Sequence, residues 1–191
     1  MQNYKNIPLT YDSAGILDIL QGHPKPTYKS CETIKCSPTE IVKISRVLNL
    51  GLPIMGILYF KISAGQIGQI HKDINLLKPN FLINYALNLP LMNCEEVYIN
   101  WFTQNDLTKN AEPFSGPSTG SPTPLLDGNN ATCIDAVNCN STTLVNVNDW
   151  HSISNQATDG YADLISIRFM PNVKPSLILP MNEWLHKMVP Q

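Results

Sequence analysis

The first regular pattern in the chain begins at Ser37. Ser37-Pro38-Thr39-Glu40 joins a hydroxyl N-cap, a proline at the first helical position and a glutamate that can reach back to the cap. Ile41, Ile44, Val47 and Leu48 then recur at helical spacing, and Gly51-Leu52-Pro53 closes the run. The spacing predicts one helix with an apolar face laid on the rest of the protein. From residue 54 the period shortens to that of strands: 54–62, 69–74, 80–91, 96–103, 142–147, 152–155 and 162–170 are rich in β-branched and aromatic residues. Gly65 to Gly68, the stretch around Asn93, and Thr158-Asp159-Gly160 read as turns, the last as a hairpin. At least six strands and one firm helix predict a mainly antiparallel β protein, as a double-sheet jelly roll or a small barrel.

The flanks are less regular. Residues 1–53 form an N-terminal arm and supporting helix, in which Tyr4, Tyr11, Ile16, Leu17 and Leu20 are placed to pack a short strand or helix on the core. Residues 104–141 carry Pro113, Pro117, Pro122 and Pro124 among many Gly, Ser, Thr and Asn, and read as a long irregular insertion acting as a lid or a partner-facing loop. Residues 182–188 suggest a short terminal helix. At 191 residues the whole of 1–191 is expected to be one domain.

Composition narrows the classes. Charged residues are only 15% of the chain against 43% hydrophobic, with 15 prolines, which excludes a coiled coil and a charge-rich disordered tail. The net charge of -2 gives no basic footprint for nucleic acid. No apolar run has the length of a membrane span, and the N-terminal segment lacks the basic and apolar regions of a secretory signal. The expectation is a cytoplasmic protein whose five cysteines are mostly reduced and fit no zinc spacing, and whose two Asn-x-Thr triplets are chance matches.

Four positions carry the chemistry. His71-Lys72-Asp73 lies in or at the end of a strand, so alternation sets an imidazole and a carboxylate side by side on one face, with Lys72 on the other. His151 follows an apolar strand, and Arg168 stands inside Leu164-Ile165-Ser166-Ile167-Arg168-Phe169, where a guanidinium is costly without an anion. Two histidines and one carboxylate are the facial triad of non-haem iron(II) oxygenases, which leaves coordination positions open. A downstream arginine can clamp a dicarboxylate through forked, charge-assisted hydrogen bonds. Trp101, Phe102 and Trp150 are either pocket walls or plain core. His23 and His186 read as a loop and a helix-end histidine.

The segments GQIHKDIN, NYALNLPLMNCEEVYINWF, TTLVNVNDWHSISN and ADLISIRF, in that order, resemble the iron(II)/2-oxoglutarate-dependent oxygenases, in particular small members from phages and marine microbes. The resemblance spans about residues 66–170 and skips the insertion. It implies a double-stranded β-helix (jelly roll, cupin-like) with one or two flanking helices, iron(II) on His71, Asp73 and His151, and 2-oxoglutarate as cosubstrate with its distal carboxylate on Arg168. Such families often place a serine two residues after the arginine. That position is Met170 here, and Ser166, two residues before Arg168 on the same strand face, offers a hydroxyl instead. Asn88 is the candidate for the other end of the cosubstrate.

The activity so implied is hydroxylation or demethylation of an unidentified substrate, in the cytoplasm of a microbe or of a phage-infected host cell. Two alternatives keep the fold. One is a non-catalytic structural or binding protein, such as a virion or assembly component, that meets a virion partner or its own copies through 104–141. The other is a cupin-like isomerase or metal-binding protein without cosubstrate, in which Arg168 turns away from the pocket. Serine hydrolysis is excluded by the lack of a Gly-x-Ser-x-Gly elbow; Gly116-Pro117-Ser118-Thr119-Gly120 is the nearest approach, with proline where the motif's shape would suffer.

Overall fold

The strands pair from the outside of the chain inwards. The computed structural model describes residues 3–24, 30–49, 54–73, 85–108, 112–115 and 122–169. In order these form β1 (Tyr4–Asn6), α1 (Ser13–Leu20), β2 (Cys31–Lys35), α2 (Pro38–Leu48), β3 (Ile54–Ser63), β4 (Ile70–His71), β5 (Tyr85–Met92) and β6 (Val97–Gln104). Then come β7 (Glu112–Ser115), β8 (Pro122–Leu126), β9 (Ala131–Asn138), β10 (Thr143–Asn146), β11 (His151–Asn155) and β12 (Tyr161–Phe169). β12 lies beside β3, β11 beside β4, β10 beside β5 and β9 beside β6, every pair antiparallel. This is one long hairpin rolled into two layers, the double-stranded β-helix. One sheet has the order β1-β10-β5-β12-β3-β2 and the other β7-β8-β4-β11-β6-β9.

Alternation explains how the roll holds. Along β12, Ala162 and Leu164 point between the sheets, where they meet Ile62, Val97, Ile99, Trp101, Val145, Val147 and Ile153. Ile165, Ile167 and Phe169 point the other way and are covered by Ile16 and Leu20 of α1 and Ile44 and Leu48 of α2. β12 is therefore buried on both faces, apolar under the helices and apolar between the sheets as far as Leu164, after which Ser166 and Arg168 take the inner positions. Each fully buried leucine or isoleucine contributes about 1.5–3 kcal/mol.

α2 begins as its sequence predicts. The Ser37 hydroxyl accepts from the Glu40 amide, and the Glu40 carboxylate accepts from the Ser37 amide at 2.6 Å. Its far end stops at Asn49, in the left-handed conformation at φ 46°. Val47, expected on the buried face, is instead 36% exposed. The buried stripe runs through Ile44 and Leu48; at about 100° per residue Leu48 lies about 40° to one side of Ile44 and Val47 about 60° to the other, which puts Val47 at the edge of the stripe. His23 is bound to the helix start, with Nε2 2.8 Å from Glu40 Oε1.

Two expectations need correction. Residues 104–141 are not irregular throughout: β9 is a core strand of the second sheet, and β7 and β8 form a hairpin that adds to the same sheet. The excursion falls between β6 and β9, at the bend of the rolled hairpin, and its polar, proline-rich composition reflects the sheet edge on which it lies. Thr158-Asp159-Gly160 turns the chain, with Gly160 at φ 74°, but β11 and β12 belong to different sheets, so this is a crossing between layers rather than a hairpin. In the N-terminal arm the expected packing is present: β1 holds Tyr4, and α1 lays Ile16 and Leu20 on a sheet face, with Tyr11 and Leu17 packed beside them. Residues 80–84, 170 and 182–188 of the expected elements lie outside the described residues. The five cysteines are free thiols.

Burial disfavours the charge of Glu40, yet hydrogen bonds from Ser37 and His23 outweigh it and hold the carboxyl below its usual range. A depressed carboxyl stabilises the fold above its unfolded pKa and loses that contribution as pH falls through the folded value. Ser37→Ala is expected to cost about 0.5–2 kcal/mol in urea unfolding at neutral pH, and Glu40→Gln to flatten the acid side of the stability profile. An unchanged urea midpoint in Ser37→Ala would contradict this account of the helix start.

Candidate metal centre

β4 and β11 are neighbours, and His71 sits directly opposite His151 in their register. Their rings lie 4.5 Å apart between centroids. Asp73, two residues beyond His71, is held by its amide, which donates to the Val147 carbonyl at 2.9 Å. One ligand atom from each of His71, Asp73 and His151 comes within 4.8 Å of the other two. Residues 80 apart in the chain thus meet because the roll places the second strand against the seventh of the eight core strands.

The imidazoles are aimed. His71 Nδ1 lies 2.9 Å from the Gln69 carbonyl, and His151 Nδ1 lies 2.9 Å from the Asp149 carbonyl. A carbonyl only accepts, so each Nδ1 carries the hydrogen and each neutral ring presents an Nε2 lone pair. Backbone carbonyls that fix the tautomer of a ligand histidine are the usual outer support of a metal site. His71 Nε2 faces Asp73 Oδ1 at 3.4 Å. His151 and Asp73 are buried, while the His71 side chain is 31% exposed and marks the solvent side of the group.

Arg168 arrives from the opposite sheet. It is buried, and its Nη2 lies 2.7 Å from Asp73 Oδ2. No hydrogen is directed along that contact, so Oδ2 is a buried carboxylate oxygen that accepts no hydrogen bond. Nη1 donates to the Ser166 hydroxyl, which in turn donates to Asn88 Oδ1. Ser166 and Asn88 are cross-strand partners in β12 and β5. Arg168, Ser166 and Asn88 line, with His71 and His151, one cleft of about 340 Å³, counting the solvent at its mouth. Phe60, Ile99, Val145, Val147 and Ile153 supply its apolar wall.

The electrostatics follow from this packing. Burial opposes the charge on Asp73, but the Arg168 guanidinium beside it holds its carboxyl well below the usual carboxylate range. Burial, with the neighbouring His71, pushes His151 down to about 3. His71 is also pushed down by burial, yet the Asp73 carboxylate beside it wins and raises it. At neutral pH His151 is therefore an uncharged donor, and Asp73 is ionised.

These features fit a divalent cation. Two lone pairs and a hydrogen-bond-poor carboxylate oxygen converge in a buried cleft, and imidazole with carboxylate is the donor set suited to iron(II) and its first-row neighbours. The structure thus brings together all six residues that the sequence singles out: His71, Asp73, His151, Arg168, Ser166 and Asn88. It does not bring the aromatic candidates in. Trp101 is core, stacked on Tyr4 at 5.8 Å and donating to the Asn146 carbonyl, and Trp150 lies under the Lys72 ammonium at 4.8 Å on the outer side. The aliphatic wall was missed by sequence reasoning. Its signal is parity alone: Ile153 is two residues from His151 and on the same face, and Ile99 is two from Trp101.

No family model matches the chain, and no curated protein matches it in sequence. Solved structures do. The epimerase SnoN, in complex with Fe3+, alpha-ketoglutarate and nogalamycin RO, matches with a TM-score of 0.51 at 10% identity, over 92% of this chain and 84% of that one. The non-heme alpha-ketoglutarate-dependent carbocyclase SnoK from nogalamycin biosynthesis matches with a TM-score of 0.50 at 11% identity, over 88% and 80%.

Removing Arg168 leaves the Asp73 charge buried and unbalanced. Arg168→Met is expected to destabilise the metal-free protein by about 3–5 kcal/mol, read as a lowered urea midpoint; a loss under 1 kcal/mol would show that the pair contributes little. With its strand order, its buried ion pair and these two counterparts, the chain has the double-stranded β-helix fold, cupin-like in its two layers.

Proposed function

We propose that the protein is an iron(II)- and 2-oxoglutarate-dependent oxygenase. The observation that carries this reading is the convergence of His71, Asp73 and His151 in the cleft that also holds Arg168. His71, Asp73 and His151 would hold the metal, as the facial triad does, with positions left for cosubstrate and oxygen. Iron(II), when bound, supplies the oxygen and radical chemistry that no side chain here can provide.

The chain's own residues do the rest. Gln69 and Asp149 keep the two imidazoles in the ligating tautomer through their carbonyls. Arg168 offers the positive charge that a distal carboxylate needs. Ser166 steadies the guanidinium and Asn88 steadies Ser166, so the two neutral residues position the arginine in addition to any contact of their own with the cosubstrate. Phe60, Ile99, Val145, Val147 and Ile153 keep bulk water from the reacting centre. The prime substrate approaches on the side of His71, the most exposed of the three ligands.

SnoN is an epimerase and SnoK a carbocyclase, so a shared fold with such enzymes supports metal- and cosubstrate-dependent chemistry more than it supports hydroxylation in particular. Hydroxylation or demethylation is the outcome proposed here. A protein with no turnover would gain nothing from a buried triad beside a buried arginine, each of which is costly to the fold.

Anaerobic addition of iron(II) and 2-oxoglutarate is expected to give a weak visible charge-transfer band in the wild-type protein and none in His71→Ala. Arg168→Lys is expected to raise the 2-oxoglutarate concentration needed for half the band at least tenfold, because a point charge replaces a fork. A band of equal strength in His71→Ala would remove His71 from the metal.

A further inference from the structure

Arg168 has a second partner to lose before it can take up the role proposed for it. In the structure its guanidinium is committed to Asp73, the one carboxylate among the triad residues. Among the described residues Asp73 is its ion-pair partner, and both side chains are buried, at 7% and 6% exposure. Its other tie is to neutral dipoles, Ser166 and through it Asn88.

Charge counting then orders the binding events. With both imidazoles neutral, as ligation requires of them, the site without a metal is balanced, one carboxylate against one guanidinium. A divalent cation drawn to Asp73 competes for the carboxylate and leaves two positive charges in excess within a low-dielectric cleft. A dicarboxylate restores balance, since its two charges match that excess. Both the empty and the fully loaded site are neutral, and the half-loaded one is not.

We propose that Arg168 exchanges anions: it holds Asp73 while the metal is absent and passes to the far carboxylate of the cosubstrate once the metal takes Asp73, so that metal and dicarboxylate bind cooperatively. This rests on the metal-site reading above. Ser166 serves as the fixed point of the exchange. It lies two residues from Arg168 on the same strand face, is locked across the sheet to Asn88, and lines the cleft together with His71 and His151. The guanidinium can therefore change partner while Nη1 stays tethered. Coupling of this kind is reciprocal, so the cosubstrate tightens the metal by the same factor as the metal tightens the cosubstrate.

Calorimetric titration of the full chain with Ni2+ tests the proposal without turnover. For the wild type, 2-oxoglutarate is expected to tighten Ni2+ at least tenfold more than pyruvate does, since pyruvate has the chelating head but no distal carboxylate. Arg168→Met is expected to bind Ni2+ alone at least tenfold more tightly than the wild type, and to lose the distinction between the two acids. Arg168→Met binding Ni2+ no better than the wild type would overturn the exchange, while His151→Ala still abolishing Ni2+ binding would leave the metal site standing. Undiminished Ni2+ binding in His151→Ala would instead remove the metal site, and the exchange with it. Should Arg168→Met fail to fold, the wild type decides: the Arg168 Nε–H resonance should shift with Zn2+ and shift again with 2-oxoglutarate. A resonance unmoved by Zn2+ overturns the exchange.

Discussion

A carboxylate and a guanidinium 2.7 Å apart between two apolar sheets set the terms for this protein. Neither charge tolerates that place alone. Together they demand that the segment just after β4 and the strand β12, from opposite layers, meet at one depth in the roll, and they tie the site to the fold. The same demand explains the chain of hydrogen bonds through Ser166 to Asn88. A guanidinium carries donors that must be met as well as a charge that must be balanced, and one of them is met by a hydroxyl whose own hydrogen is met by an amide oxygen.

The roll makes this meeting inexpensive. Because strands pair last with first, residues far apart in sequence become neighbours by register rather than by loop conformation. His71 and His151 face each other as a cross-strand pair, and Ser166 and Asn88 do the same in the other sheet. Sites built from strand registers are held more rigidly than sites built from loops. The excursion between β6 and β9 belongs to this logic as well. β8 adds to the edge of β4, with Leu125 opposite His71, so the strand that presents the first histidine is paired on both sides.

Electrostatics separates the two histidines. His151 is buried and pushed to about 3, whereas His71, nearer solvent and beside the Asp73 carboxylate, is raised. One of the pair is always a free donor, and the other competes with the proton that Asp73 attracts to it. The arginine supplies the opposing charge that keeps Asp73 ionised.

The sequence by itself determined the core strands β3, β4, β5, β6, β10, β11 and β12, the cap of α2, and the identity of the polar residues at issue. Strand periodicity, a hydroxyl-proline-glutamate start and charged groups inside apolar runs are local facts, and local chemistry makes them legible. The parity of His71 and Asp73 could likewise be read, since a strand alternates whatever its surroundings. Only the tertiary structure decided which strands lie side by side, that 131–138 is a core strand while 158–160 crosses between layers, and that Trp101 is packing while Ile99 and Ile153 line the cleft. It alone also decided that Arg168 is paired with Asp73. These outcomes depend on how two sheets roll against each other, and no window along the chain contains that geometry.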